Sequence, residues 1–172
     1  MAIDLKERVR DVPDWPEQGV VFRDITPLLR DPEALDQTVH ELAEWGKERR
    51  PDVVIGAEAR GFILGAAIAR EIGCGFVPAR RPGKLPPETI GATYALEYGQ
   101  NTLELHPETI RKGDRVLIHD DVLATGGTVA ATVRLVDKAG AVAVGASVLM
   151  DLSFLPGRDA IGDLALTSLL TV

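Results

Sequence analysis

The chain has 172 residues, a formal charge of −7, and a mix of 45% apolar and 26% charged residues. This length predicts one domain around one core, and the composition excludes the disordered and low-complexity classes. Lysine and arginine form no stripe on this acidic chain, which excludes nucleic acid as a partner, and the longest apolar stretch, residues 141–150, is about half of what a membrane span requires.

The opening MAIDLKERVR lacks the apolar core of a signal peptide and reads as a short amphipathic start over residues 3–9. Two prolines and a glycine make residues 11–19 irregular, and VVFRDI, residues 20–25, follows as an extended segment. Asp31 is placed to cap a helix with Pro32 in its first turn. Leu35, Val39, Leu42 and Trp45 then recur at helical spacing, so a helix is predicted to about Arg49, where Pro51 stops it. Residues 52–56 predict a buried strand, residues 62–72 a helix closed by Gly73, and residues 76–79 a second strand. Between the last two stands Cys74, which as a lone cysteine has no partner for an internal disulfide; with the leaderless start it predicts a soluble protein of the reducing cytoplasm.

Breakers crowd residues 80–100 and predict a long loop, which in a compact domain is functional or mobile. Residues 102–105 alternate as a strand, residues 115–119 form a third apolar strand, and residues 128–139 form a helix before Gly140. Residues 142–149 predict another buried strand and residues 164–170 a last one. Strands alternating with helices, without an internal repeat, predict an α/β fold with a mostly parallel sheet.

The sharpest signal is VLIHDDVLATGGT, residues 116–128: an apolar strand, two adjacent acids, and a Thr-Gly-Gly-Thr turn that opens a helix. In open α/β sheets ligands sit beyond the carboxyl ends of strands, where helix amino termini present free N–H groups and partial positive charge. Gly126 and Gly127 let an anion approach the backbone from Ala124 onward, and the hydroxyls of Thr125 and Thr128 add donors. Asp120 and Asp121 would repel a phosphate, yet as acceptors they suit the two hydroxyls of a ribose and can help hold a hydrated magnesium ion. The motif therefore specifies a ribose 5-phosphate. A phosphate loop ending in Gly-Lys-Ser/Thr is absent, and Gly73 and Gly75 lack the third glycine of a dinucleotide fingerprint.

The acid pair followed by ATGGT resembles the signature of the type I phosphoribosyltransferases, which bind phosphoribosyl pyrophosphate (PRPP). VVFRDITPLL, ARGF, RRPGKLP, LEYG and DDVLATGGT, in this order, resemble the adenine-specific family among them, as does SVLMDLSFLPGR toward the carboxyl end. The resemblance implies a parallel sheet flanked by helices, with a hood segment and a long flexible catalytic loop. It implies transfer of phosphoribosyl from PRPP to adenine, giving AMP and pyrophosphate, with Mg2+ as cofactor and a homodimer as the usual assembly.

Carried over by residue, the resemblance sets main-chain groups of Val21 and Arg23 against the adenine edge, with Phe22 on one ring face and Val122 on the other. Glu58, Ala59 and Arg60 follow a buried strand and precede a helix, which makes a second anion site for pyrophosphate, and the forked, always charged Arg60 can neutralise the leaving oxygen. Arg80, Arg81 and Lys84 would add charge over the pyrophosphate. The resemblance places Glu97 near purine N7 as proton donor or acceptor and Tyr98 beside it in a closing flap.

Two departures from that family stand out. His119 ends the third strand where an aliphatic residue is usual and is expected to pack in the sheet, and Pro82 stands where another basic residue is frequent. Neither His40 nor His106 has a ligand cluster around it, so neither is assigned to metal. The competing readings are a transferase for another purine base, a non-catalytic PRPP-binding regulator, and a receiver-like domain that uses the acid pair for magnesium. The last leaves ARGF, GKLP and TGGT unexplained.

Overall fold

The structure is a computed structural model and describes residues 2–95 and 100–172. At its centre is a five-stranded parallel sheet in the order β4-β3-β7-β8-β9, formed by Val53–Ala57 (β3), Gly75–Ala79 (β4), Arg115–Leu123 (β7), Val142–Asp151 (β8) and Leu166–Thr171 (β9). Two antiparallel ribbons flank it: Arg10–Pro13 (β1) with Val21–Asp24 (β2), and Ile90–Ala95 (β5) with Gln100–Leu105 (β6).

Side-chain alternation explains why the sheet is buried on both faces. Along β3 and β7, Val54 and Leu117 point into one core with Leu42 of helix α2 (Pro32–Lys47) and Leu64 and Ile68 of helix α3 (Gly61–Ile72). Their neighbours Val53, Ile55, Val116 and Ile118 point the other way, into a core shared with Leu135 of helix α4 (Gly127–Lys138) and Leu103 and Leu105 of β6. Strands covered on both faces must be apolar at every position, which is why β3 reads as VVIGA. Helix α2 starts as expected, with Asp31 Oδ1 accepting from the amides of Glu33 and Ala34.

The predicted α/β architecture is present, with four local corrections. Residues 10–13, expected to be irregular in part, pair with β2; Arg10 and Asp24 lock the ribbon at 2.6 Å, and Arg23 pairs with Asp11 across it. Helix α1 (Thr26–Arg30) follows β2 directly, with Asp24 Oδ1 accepting from the Thr26 amide at 2.9 Å. Residues 90–95, expected within a loop, form β5, because Ile90, Ala92 and Tyr94 turn toward the core while Lys138 and Arg134 of α4 donate to the carbonyls of Gly91 and Thr93. Strand β7 runs on to Leu123 through the acid pair, since β8 extends beside it to Asp151.

Strand order positions the site. From β3 the chain proceeds through α3 to β4 on one side; from β7 it proceeds through α4 to β8 on the other. The two halves diverge between β3 and β7, so their carboxyl ends frame a crevice there. Among the described residues no helix is long and apolar enough to cross a membrane.

Candidate active site

A cleft of about 600 Å³ opens at that crevice. Its walls bring together residues far apart in the chain: Val21, Phe22 and Arg23 from the β1–β2 ribbon, Glu58, Ala59 and Arg60 after β3, and Asp120 to Val122 at the end of β7. A smaller hollow of about 60 Å³ continues from it along Ala124, Thr125, Gly126, Gly127 and Thr128.

The small hollow follows from the backbone. Gly126 caps helix α4 in the left-handed region, at φ 78°, where an L side chain is strained; a Cβ there would also lie 2.5 Å from the Gly157 carbonyl oxygen. The first amides of α4 have no intrahelical acceptor, and the helix dipole makes their end of the hollow electropositive. Gly127 carries a second requirement: a Cβ there would stand 2.8 Å from the Tyr94 ring.

The acid pair sits at the mouth of this hollow. Asp120 Oδ1 accepts from the Asp121 amide at 2.9 Å. Desolvation, then the neighbouring Asp121 charge, push the Asp120 carboxyl well above the usual carboxylate range, against the pull of Arg60. Asp121 is 4% exposed, and its Oδ2 lies 2.8 Å from Arg60 Nε. The guanidinium N–H does not aim along that line, so the buried oxygen keeps an unfilled acceptor site.

Arg60 is the hinge of the cleft. Its guanidinium also lies 4.9 Å from the Phe22 ring, and Phe22 in turn meets Trp15 edge-on at 4.5 Å. The arginine thus touches the predicted base wall and the predicted ribose wall at once. Glu58 Oε2 accepts from the Arg81 amide at 2.8 Å and from Arg80 Nε at 3.3 Å.

The structure brings Val21, Phe22, Arg23, Glu58, Ala59, Arg60, Asp120, Asp121, Val122, Ala124 and Thr128 to one cleft, with Thr125, Gly126 and Gly127 in its extension. Of the basic loop residues, Arg81 lines the cleft. Arg80 is engaged with Glu58 and lies 5.8 Å from the Phe62 ring, while Lys84 contributes its carbonyl to Arg80 Nη1 and does not reach the wall. Glu97 and Tyr98 fall outside the described residues. His119 is fully buried, bonded through Nδ1 to Ser147 Oγ at 3.0 Å, and burial drives its pKa down to about 3, so it stays neutral in the sheet. Among the described residues no group of three or more His, Cys, Asp or Glu side chains is close enough to hold a metal ion.

Sequence reading missed Trp15, Tyr94, Asn101 and Leu152, which support or line this cleft. A signal existed for Tyr94 alone, in the alternation of Ile90, Ala92 and Tyr94, and it was masked by the prolines before it.

Residues 29–160 match the model of the phosphoribosyl transferase domain family. The chain is 53% identical to an adenine phosphoribosyltransferase of a Nocardioides species, over 95% of this chain and 91% of that protein. Its fold superimposes on the crystal structure of the adenine phosphoribosyltransferase of Thermoanaerobacter pseudethanolicus with a TM-score of 0.96, at 42% identity and covering 98% of each chain. It also superimposes on the Saccharomyces cerevisiae enzyme, crystallised with an iminoaltritol bisphosphate and adenine, with a TM-score of 0.91, at 35% identity and covering 97% of each chain.

Proposed function

The chain belongs to the adenine phosphoribosyltransferases of the phosphoribosyl transferase domain family, and from that premise we propose that residues 1–172 act as one domain that transfers phosphoribosyl from PRPP to N9 of adenine, releasing AMP and pyrophosphate. The observation that carries this reading is the meeting in one cleft of an aromatic base wall, an acid pair and a hollow at a helix start lined by Ala124 to Thr128. The yeast relative, which held adenine and a sugar-like bisphosphate together, supports it.

In this reading Phe22 and Val122 sandwich adenine, and the main chain of Val21 and Arg23 matches its donor and acceptor edge. Asp120 and Asp121 accept from the ribose hydroxyls. The amides from Ala124 to Thr128, with the hydroxyls of Thr125 and Thr128, hold the 5-phosphate. Glu58, Ala59 and Arg60 present amides and charge to pyrophosphate, and of the three basic loop residues expected to add charge there, Arg81 lines the cleft.

Adenine N9 bonds to the anomeric carbon as the bond from that carbon to the pyrophosphate oxygen breaks, and the ribose passes through an oxocarbenium-like state. The protein holds both reactants in line, and Arg60 meets the negative charge growing on the leaving group. The family resemblance assigns to Glu97 the proton at purine N7 and to Tyr98 a part in a closing flap; both lie outside the described residues.

A magnesium ion fits the donor set as a substrate-borne ion. Two carboxylates, one with an unfilled buried oxygen, suit an ion that takes most of its ligands from PRPP oxygens and water. Bound there through Asp120 and Asp121, it would supply charge neutralisation to the pyrophosphate. The working unit is a homodimer in the cytoplasm, a reading supported by the family resemblance and by the lone reduced Cys74.

The test is to incubate the purified protein with Mg2+, PRPP and each purine base in turn. AMP and pyrophosphate from adenine alone are expected. IMP or GMP formation overturns the base specificity, and PRPP binding without any nucleotide turns the protein into a regulator.

A further inference from the structure

Tyr94 belongs to none of the motifs that carry the function, yet it lines the cleft beside the hollow, against Gly127 and Thr128. It lies on β5 and packs against the core shared with α4. Its ring covers the space beside Gly127 where a Cβ would stand 2.8 Å away, so the second glycine of the turn makes room for tyrosine as well as for an anion. Its hydroxyl accepts from Thr128 Oγ1 at 3.4 Å, and both residues line the cleft.

A phenol carries one proton and two acceptor lone pairs. At 3.4 Å the contact with Thr128 is a long one that either hydroxyl can give up, so both protons can turn toward an anionic oxygen beside them. The strand that carries the ring is fastened on both sides. Arg134 Nη2 donates to the Thr93 carbonyl at 2.9 Å, and Tyr94 pairs with Asn101 in the β5–β6 register. Its hydroxyl therefore stands at the start of α4 on a strand fastened to that same helix.

Resting on the reading of the hollow as a phosphate site, we propose that the Tyr94 hydroxyl is a further ligand of the sugar 5-phosphate, donating a hydrogen bond that completes the ring of amides and threonine hydroxyls. Gly127 is the complement of this tyrosine: the backbone gives up a side chain so that an aromatic wall can stand against the first turn of α4.

The experiment uses Tyr94→Phe, which keeps the ring and removes one oxygen. Calorimetry of the wild type with ribose 5-phosphate comes first, and absence of binding there sinks the phosphate site itself rather than the role of Tyr94. With wild-type binding in hand, Tyr94→Phe is expected to weaken ribose 5-phosphate and PRPP by roughly tenfold, the usual loss for a hydrogen bond to a charged group. Pyrophosphate affinity and the KM for adenine at saturating PRPP should stay within about twofold. Unchanged ribose 5-phosphate affinity overturns the proposal. So does an equal loss for pyrophosphate or a fall in Tm that accounts for the change, since either marks Tyr94 as mere packing.

Discussion

Along residues 116–128 one strand, one turn and one helix start supply the acid pair, the glycines and the free amides of the phosphate side. The opposite wall is drawn from residues 15–23, 58–60, 81 and 122, which meet only after the sheet has formed. The first region depends on backbone conformation that neighbouring residues dictate. The second depends on side-chain pairs: Trp15 on Phe22, Phe22 against Arg60, Arg60 beside Asp121, Arg10 on Asp24. A local site is therefore expected to fail through its glycines and an assembled site through its contacts.

Arg60 joins the two regions, so its loss gives the largest effect. Arg60→Ala is expected to lower kcat by about 10²–10³, as for removal of a group that meets developing charge in a transition state. Steady-state kinetics with both substrates varied will check it. A change confined to the KM for adenine would mean that Arg60 serves the base wall alone.

Gly126→Ala strikes the local region. It places a side chain at φ 78° and within 2.5 Å of the Gly157 carbonyl oxygen. Backbone strain and overpacking together are expected to raise the KM for PRPP by about a hundredfold. Titration of each substrate should find the base side little changed. If the KM for adenine rises equally, the two sides are not separable.

The same contrast explains what could be read before the fold was known. The central strands β3, β7 and β8 and helices α2, α3 and α4 declare themselves, because burial on both faces demands unbroken apolar runs and amphipathic helices repeat every three or four residues. The hollow along Ala124 to Thr128 is equally legible as a local feature, since its parts are neighbours in sequence. Strand β1 was hidden because Pro13 and the breakers after it conceal an edge pairing that rests on charge, and β5 because six alternating residues follow RRPGKLPP. That Arg81 rather than Lys84 faces the cleft depends on Glu58, which is 23 residues away and accepts from the Arg81 amide. Periodicity carries no trace of such a contact.

Trp15→Ala removes a support of the base side. Phe22 keeps its place in β2 but loses the edge-on ring at 4.5 Å. An aromatic pair of this kind contributes about 0.5–1.5 kcal/mol, so the KM for adenine is expected to rise about threefold to tenfold while that for PRPP holds. A matching rise for PRPP would show that the ribbon supports both walls.

Asp24→Asn should give the smallest effect, and pH reveals it. Hydrogen bonds from Thr26, with Arg10 adding to them, hold the Asp24 carboxyl below its ordinary value. A group depressed in this way binds a proton less readily when folded than when unfolded. Its stabilisation is therefore fully present above the ordinary carboxylate value of about 3.9 and fades as pH falls through the lower folded value. The substitution keeps the shape and removes the charge, so thermal unfolding at pH 7 is expected about 2–4 °C lower, the equivalent of about 1 kcal/mol in a chain of this size. The gap to the wild type should narrow with acid, and the KM for adenine should rise no more than about twofold, because β2 remains paired with β1 through its backbone. If the gap instead persists unchanged into the acid range, the Asp24 charge does not hold the ribbon, and the base wall rests on its aromatic contacts alone.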